Sequence, residues 1–273
     1  MGKQNHLTTS ASFEMLPIRI AAAQYSCDKG NLVDDQDKTI HIADDAMHFS
    51  DLVLLPESSF VENWTADYVR KHSATLHGPV TAILAQCAVV RNSYVCFNIA
   101  EREGEHFYNT AILLRPDGKI AGCHRKFRLS ETDVQVGFTP GEKPTVIETS
   151  IGRIGILMGL ETLDTQCIHA LVAQGVQLIL SPSIVTANSR EEIHNEVVNW
   201  SKRLFKLATI ARSHVLWANK CGLVAEKVAI GSSMIVDPHG KILSCAKIDQ
   251  DEIVRSTVTL TASPLFTNMV DRA

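Results

Sequence analysis

The sequence predicts an α/β protein, a single domain built as an α-β-β-α sandwich, on three observations. Short apolar runs alternate with stretches of helical period, the pattern of a layered α/β fold. The order strand-helix-strand-helix-strand-strand occurs twice. Each half closes through a similar turn, Pro116-Asp117-Gly118-Lys119 in the first and Pro238-His239-Gly240-Lys241 in the second. No Gly/Ser/Pro-rich linker separates the halves, so both belong to one body, with two sheets face to face and helices outside. The domain is expected over residues 17–260. A loose tail is expected at 1–16, and a second tail at 261–273 is placed at a subunit interface.

Residues 18–25 form a small-residue apolar strand. Residues 34–49 follow as an acidic amphipathic helix with Ile40, Ala43 and Met47 on one face. The unbroken apolar run 52–55 reads as a strand buried on both faces, and it ends at Pro56-Glu57. Pro79 suits a first helical turn and opens a helix to Arg91. A strand at 94–100 precedes a hairpin, 106–114 with 119–124, around the turn sequence Arg115-Pro116-Asp117-Gly118. Residues 127–141 read as a polar loop. Strands at 145–147 and 153–158 lead to a helix at 163–174, with Gly175 at its C-terminal end. A buried strand at 176–180 precedes a long helix, 191–211, striped with Val197, Trp200, Leu204, Leu207 and Ala211. Strands at 215–219, 229–236 and 241–246 complete the second half.

Bulk properties exclude several classes. The net charge of -4, from 26 basic and 30 acidic residues, leaves no basic footprint for nucleic acid. Apolar runs are far shorter than a bilayer span, and residues 1–14 lack the apolar segment of a secretory signal. The seven cysteines are widely spaced with no C-x-x-C, as expected for free thiols in a reducing, cytoplasmic setting. Eleven histidines form no H-E-x-x-H pattern, which argues against zinc.

Three strand ends carry the chemistry. Residues 52–55 run into Glu57, the first hairpin runs into Lys126, and residues 154–158 run into Gly159-Leu160-Glu161. A strand holds a side chain rigid while the turn after it exposes that side chain. Taken singly, Glu57 is most often a solvated strand-end residue and Lys126 a surface lysine. Together they form an ion pair aimed at a pocket, a carboxylate that desolvation makes basic beside an ammonium that holds an oxyanion. Cys167, on an apolar helix face, reads as a small buried hydrophobe. Ser232-Ser233 reads as packing at a turn, and Gly152, Gly155 and Gly159 lack dinucleotide-binding spacing.

Six segments carry a resemblance: L-V-L-L-P-E (52–57), Y-N-T-A-I-L-L-R-P-D-G-K (108–119), H-R-K-F-R-L (124–129), F-T-P-G (138–141), R-I-G-I-L-M-G-L-E (153–161) and G-S-S-M-I-V-D-P-H-G-K-I-L (231–243). In this order and spacing the chain resembles the nitrilase superfamily, the carbon-nitrogen hydrolases, over residues 18–258. The resemblance implies the same sandwich, pairing through its helices into a four-layer dimer or a higher homo-oligomer. It also implies a small amide, carbamoyl amine or nitrile as substrate, no metal and no cofactor. Glu57 takes the general-base position and Lys126 the oxyanion-stabilising one. The nucleophilic Cys position falls on Gly159, with the Leu160 N–H as an oxyanion donor and Glu131 or Asp133 as a second acid. The resemblance leaves three readings: a hydrolase impaired by Gly159, an inactive binding or assembly protein, and an enzyme using water or a substrate nucleophile with Glu57 and Lys126.

Overall fold

The computed structural model describes residues 16–27 and 32–260. The expected tails at 1–16 and 261–273 lie outside the described residues, apart from Leu16. The first half runs β1 (Ile18–Gln24), α1 (Leu32–His48), β2 (Leu52–Leu54), α2 (Ala66–His72), α3 (Pro79–Arg91), β3 (Tyr94–Glu103), β4 (His106–Leu114), β5 (Ile120–Arg125) and α4 (Glu131–Val136). The second opens with β6 (Ile147–Thr149), β7 (Gly152–Ile156), a 3-10 turn (Gly159–Leu163), α5 (Thr165–Ala173), β8 (Leu178–Pro182), β9 (Thr186–Ala187) and α6 (Ile193–Ala211). It closes with β10 (His214–Ala218), β11 (Cys221–Val224), β12 (Lys227–Ile230), β13 (Met234–Val236), β14 (Ile242–Cys245) and β15 (Glu252–Val258).

Two six-stranded sheets result, ordered β15-β1-β2-β3-β4-β5 and β14-β13-β10-β8-β7-β6. Both carry the same pairing pattern. Three central strands are parallel (β1, β2 and β3; β7, β8 and β10), and the flanking strands pair antiparallel. The repeated element order in the sequence is therefore a repeated sheet. Period-2 alternation decides which face each residue covers. Ile20, Ala22, Leu52 and Leu54 meet Ile154, Ile156, Leu178 and Leu216 between the sheets. Ala21, Ala23, Val53 and Leu55 turn the other way, onto α1 and α3. Ile179, Val215 and Trp217 turn onto α5 and α6. The layers are thus α-β-β-α, as the apolar runs predict. Gly155 permits the helix–sheet approach in the second half, because a Cβ there would meet Leu171 Cδ1 at 2.6 Å.

Several elements differ from expectation. The polar loop at 127–141 contains α4, which starts at a capping box: the Ser130 side chain accepts from Asp133 N, and Asp133 reaches back to the Ser130 backbone. The segment 58–77 contains α2, capped by Thr65. The expected helix at 163–174 begins at Thr165, because the Asp164 carboxylate accepts from Gln166 N at 2.7 Å. The single strand expected at 229–236 breaks at Gly231 (φ +56) and Ser232 (φ +57). Its first part, β12, joins β11 and β9 in a small third sheet. No helix among the described residues is long and apolar enough to cross a membrane.

Candidate active site

Three strand ends converge as the sequence predicts. Glu57 follows β2 by three residues, Lys126 follows β5 directly, and Gly159 opens the 3-10 turn beyond β7. Lys126 Nζ lies 2.7 Å from Glu57 Oε1 and 2.8 Å from Asp133 Oδ2. All three side chains are buried. Of the two candidate second acids, the structure brings Asp133 into the cluster, while Glu131, in the same turn of α4, is exposed.

Two asparagines organise the cluster. Asn109 Nδ2 donates to Glu57 Oε1 at 2.8 Å and to Asp133 Oδ1 at 3.0 Å. Its own Oδ1 accepts from Asn98 Nδ2 at 2.8 Å, and Asn98 Oδ1 accepts from Ser58 N at 2.7 Å. Both asparagines point from β3 and β4, so the first sheet holds both carboxylates in register. Sequence reasoning missed this pair. The signal for Asn109 is its place in Y-N-T, a polar residue at the start of an apolar strand.

The protonation states follow from burial and charge. Burial pushes the Glu57 carboxyl above its ordinary 4.5 against the pull of Lys126, and the Asp133 charge adds to the push. Asp133 goes the other way: burial would raise it, but Lys126 and the Ser130 hydrogen bonds hold it below its ordinary 3.8. For Lys126, burial favours the neutral amine, yet the charges of Glu57 and Asp133 outweigh it and raise its pKa. Asp133 is therefore the standing counterion of the ammonium. Glu57 is the carboxylate that takes up a proton first.

Glu161 ties the two sheets together at this point. It is fully buried. Its Oε2 accepts from His124 Nε2 and from Met158 N, both at 2.7 Å, and its Oε1 accepts from Phe127 N at 2.5 Å. These donors flank Lys126 on one side and Gly159 on the other. Burial would raise the Glu161 pKa, but His124 and the backbone donors hold it below 4.5.

Gly159 has φ +48, in the left-handed region. A Cβ built there would lie 3.6 Å from Glu57 Oε2 and 3.7 Å from Lys126 Nζ, ordinary contact distances. The position thus faces the base and the ammonium without a reactive group of its own. Leu160 follows it in the 3-10 turn. Together these residues line a cavity of about 420 Å³, walled on its apolar side by Trp64, Val136, Val185 and Trp200. Trp200 is held by stacking on the buried Trp217, ring centroids 5.7 Å apart. No cysteine lines the cavity. Cys167 is fully buried inside α5, its thiol pushed up to about 12 by burial. Ser130 does line the cavity, but its hydroxyl is engaged with Asp133 Oδ2 at 2.7 Å. Among the described residues no cluster of His, Cys, Asp and Glu could hold a metal ion.

Comparison with known proteins gives a consistent result. A sequence model of the family described as carbon-nitrogen hydrolase matches residues 19–263. The chain is 24% identical over 262 residues to 2-oxoglutaramate amidase of Paenarthrobacter nicotinovorans, covering 90% of this chain and 86% of that protein. It is 24% identical over 221 residues to an omega-amidase of Xenopus laevis, 78% of each. Against the chloroplastic omega-amidase of Arabidopsis thaliana identity is 25% over 189 residues, 64% of this chain, and the chain spans about half (49%) of that relative's length. Among solved structures, a Glu-to-Gln, Cys-to-Ala double mutant of the amidase from Nesterenkonia sp. AN1 in complex with acrylamide superposes with a TM-score of 0.76 at 22% identity, covering 89% of this chain and 90% of that one. A Glu-to-Gln mutant of that amidase shows covalent addition of the acetamide moiety of fluoroacetamide at its active-site cysteine.

Proposed function

The chain belongs to the carbon-nitrogen hydrolase family, and from that premise we propose that it binds a small carboxamide in the Glu57–Lys126–Asp133 cavity without forming a covalent acyl intermediate. One observation carries this reading. An ideal Cβ on Gly159 lies 3.6 Å from Glu57 Oε2 and 3.7 Å from Lys126 Nζ, which supports reading Gly159 as the nucleophile position left without a side chain. In this reading Lys126 Nζ and the Leu160 N–H receive a carbonyl oxygen and Glu57 accepts a proton, and the buried Glu57–Lys126–Asp133 cluster beside Gly159 supports it. An amide bound there meets only water as nucleophile, with Glu57 as base. Loss of a covalent nucleophile costs roughly 10³ to 10⁶ in rate, so hydrolysis by this chain is slow. Relatives named as amidases make a carboxamide the first ligand to test, and relatives named as nitrilases, matched at 24% and 26% identity, put a small nitrile beside it in the panel. A homodimer is part of this reading, and sedimentation velocity checks it.

The test is ammonia release from a panel of small amides, ω-amides and a small nitrile, measured on the natural chain and on Gly159→Cys. The expected outcome is activity at least roughly 10³-fold higher in the variant. Titration calorimetry should detect binding of the same amides to the natural chain. If both proteins are silent while both remain folded, the pocket is not an amide site. Comparable turnover in both would assign the chemistry to a route that does not need Gly159.

A further inference from the structure

The site above leaves one buried amine unused. Lys220, between β10 and β11, is fully buried. Its Nζ donates to Cys27 Sγ at 3.2 Å and to the Val61 carbonyl oxygen. Lys126 sits between two carboxylates, whereas Lys220 has a sulfur and a carbonyl. Burial accordingly pulls its pKa down toward the neutral, nucleophilic amine, and burial raises that of Cys27. Among the described residues Cys27 is the cysteine whose sulfur receives a hydrogen bond from a lysine amine. Cys221 Sγ donates to Asp251 Oδ1 at 3.4 Å instead, and Cys96 and Cys167 are fully buried. Cys27 keeps 6% exposure, against none for Cys96 and Cys167.

We propose that Cys27 and Lys220 are a modification site, joined by a reversible oxidative cross-link when the protein meets hydrogen peroxide. The neutral Lys220 amine takes the Cys27 thiol proton, the thiolate attacks one peroxide oxygen, the O–O bond breaks, and the leaving hydroxide takes the proton back from Lys220, so that sulfenic acid and water form. The Lys220 amine then attacks the sulfur. An S–N bond forms, the S–O bond breaks, and the hydroxyl leaves with one amine proton as water. Two electrons pass to one peroxide, and the products are the cross-link and two waters. The link has a consequence for the cavity. Lys220 holds Val61, and Trp64, three residues on, is a cavity wall. Fixing the nitrogen to β1's end stiffens that wall. The chemistry of the link itself does not depend on the amide reading.

The experiment treats the full-length natural protein with hydrogen peroxide and maps its peptides without reduction. The expected result is a joined species carrying Cys27 and Lys220, about 2 Da lighter than the sum of its parts. Trypsin should no longer cut after Lys220, and dithiothreitol should reverse the change. The link should persist in Cys221→Ser and be absent in Lys220→Arg and Cys27→Ser. Closing so long a loop should also raise the Tm of the oxidised natural protein by several degrees. A Cys27–Cys221 disulfide, Cys27 found as sulfinic acid, or Lys220 left free to trypsin would each overturn the proposal. The natural chain and Cys221→Ser decide the matter even if a Lys220 variant fails to fold.

Discussion

In the first sheet, β2 and β5 lead into Glu57 and Lys126, and Asn98 and Asn109 from β3 and β4 fix the geometry. In the second sheet, β7 holds the place that β1 holds in the first, and it leads into Gly159. The two halves share one strand pattern and face one cavity, yet the first lines it with three buried charges and the second with Gly159 and apolar side chains such as Val185 and Trp200. Burying an ion costs several kcal/mol unless partners compensate it. The first region supplies those partners one by one. A glycine in a turn has no such cost, and its lack of a side chain leaves the fold intact. The charged cluster is therefore separable from position 159: its partners hold it together without a side chain there.

The sharpest way to break this comparison is to remove the cation. Lys126→Met leaves Glu57 and Asp133 buried with Asn109 as their shared donor. We expect a loss of about 3–5 kcal/mol in urea unfolding, since the uncompensated charges remain inside. A loss under 1 kcal/mol would mean that the cluster is solvated. Next in size is the tie between the halves. Glu161→Gln replaces a charged acceptor facing His124 and backbone donors, and a loss of about 2–3 kcal/mol is expected from the same measurement.

The pH dependence sharpens the same point. Glu161 and Asp133 titrate below their ordinary values in the fold. Their stabilisation is present above the unfolded values of 4.5 and 3.8 and is lost as pH falls through the lower folded values. Glu57, raised, runs the opposite way: its contribution is full below 4.5 and fades as pH rises through the folded value. Two lowered groups oppose one raised, so the urea midpoint of the natural chain should fall on acidification from about pH 5 to about pH 3. Glu161→Gln should fall less over that range. The smallest effect belongs to the glycine. Gly159→Ala places a Cβ at φ +48, within ordinary contact distance of Glu57 and Lys126. A cost of about 1 kcal/mol, read as a shift of the urea midpoint, is expected from the left-handed backbone.

Much of this was legible in the sequence, for identifiable reasons. Strands buried on both faces are runs without polar side chains, and residues 52–55 and 154–158 show them. Pro79 and Arg91 bound their helix in the fold as the sequence predicts. Glu57 and Lys126 could be paired because both follow strands. The second acid could not be chosen, because both Glu131 and Asp133 lie on α4 and only the direction of the capping box separates them. The box itself is readable as Ser-Glu-Thr-Asp at 130–133, the signal that 127–141 is not all loop. The third sheet and β15 were hidden for another reason. β15 is more than half polar and is held by β1 across the chain, and the third sheet is made of two- to four-residue strands, β11 and β12 as a local hairpin with β9 on the edge of β12. Glu161 was visible as a fitting residue, but apart from the local Met158 N–H its donors, the His124 ring and the Phe127 and Arg128 N–H groups, come from the other half of the chain.

The central claim is that the cavity is complete except for a nucleophile at Gly159. The most direct test incubates Gly159→Cys, with Glu57→Gln added so that the amide is not turned over, with fluoroacetamide and reads the intact mass beside the natural chain. The account predicts addition of one acetamide moiety to the double variant, mapped to residue 159, and none at that site in the natural chain. A folded double variant that stays unlabelled, or is labelled only at its other cysteines, would contradict it.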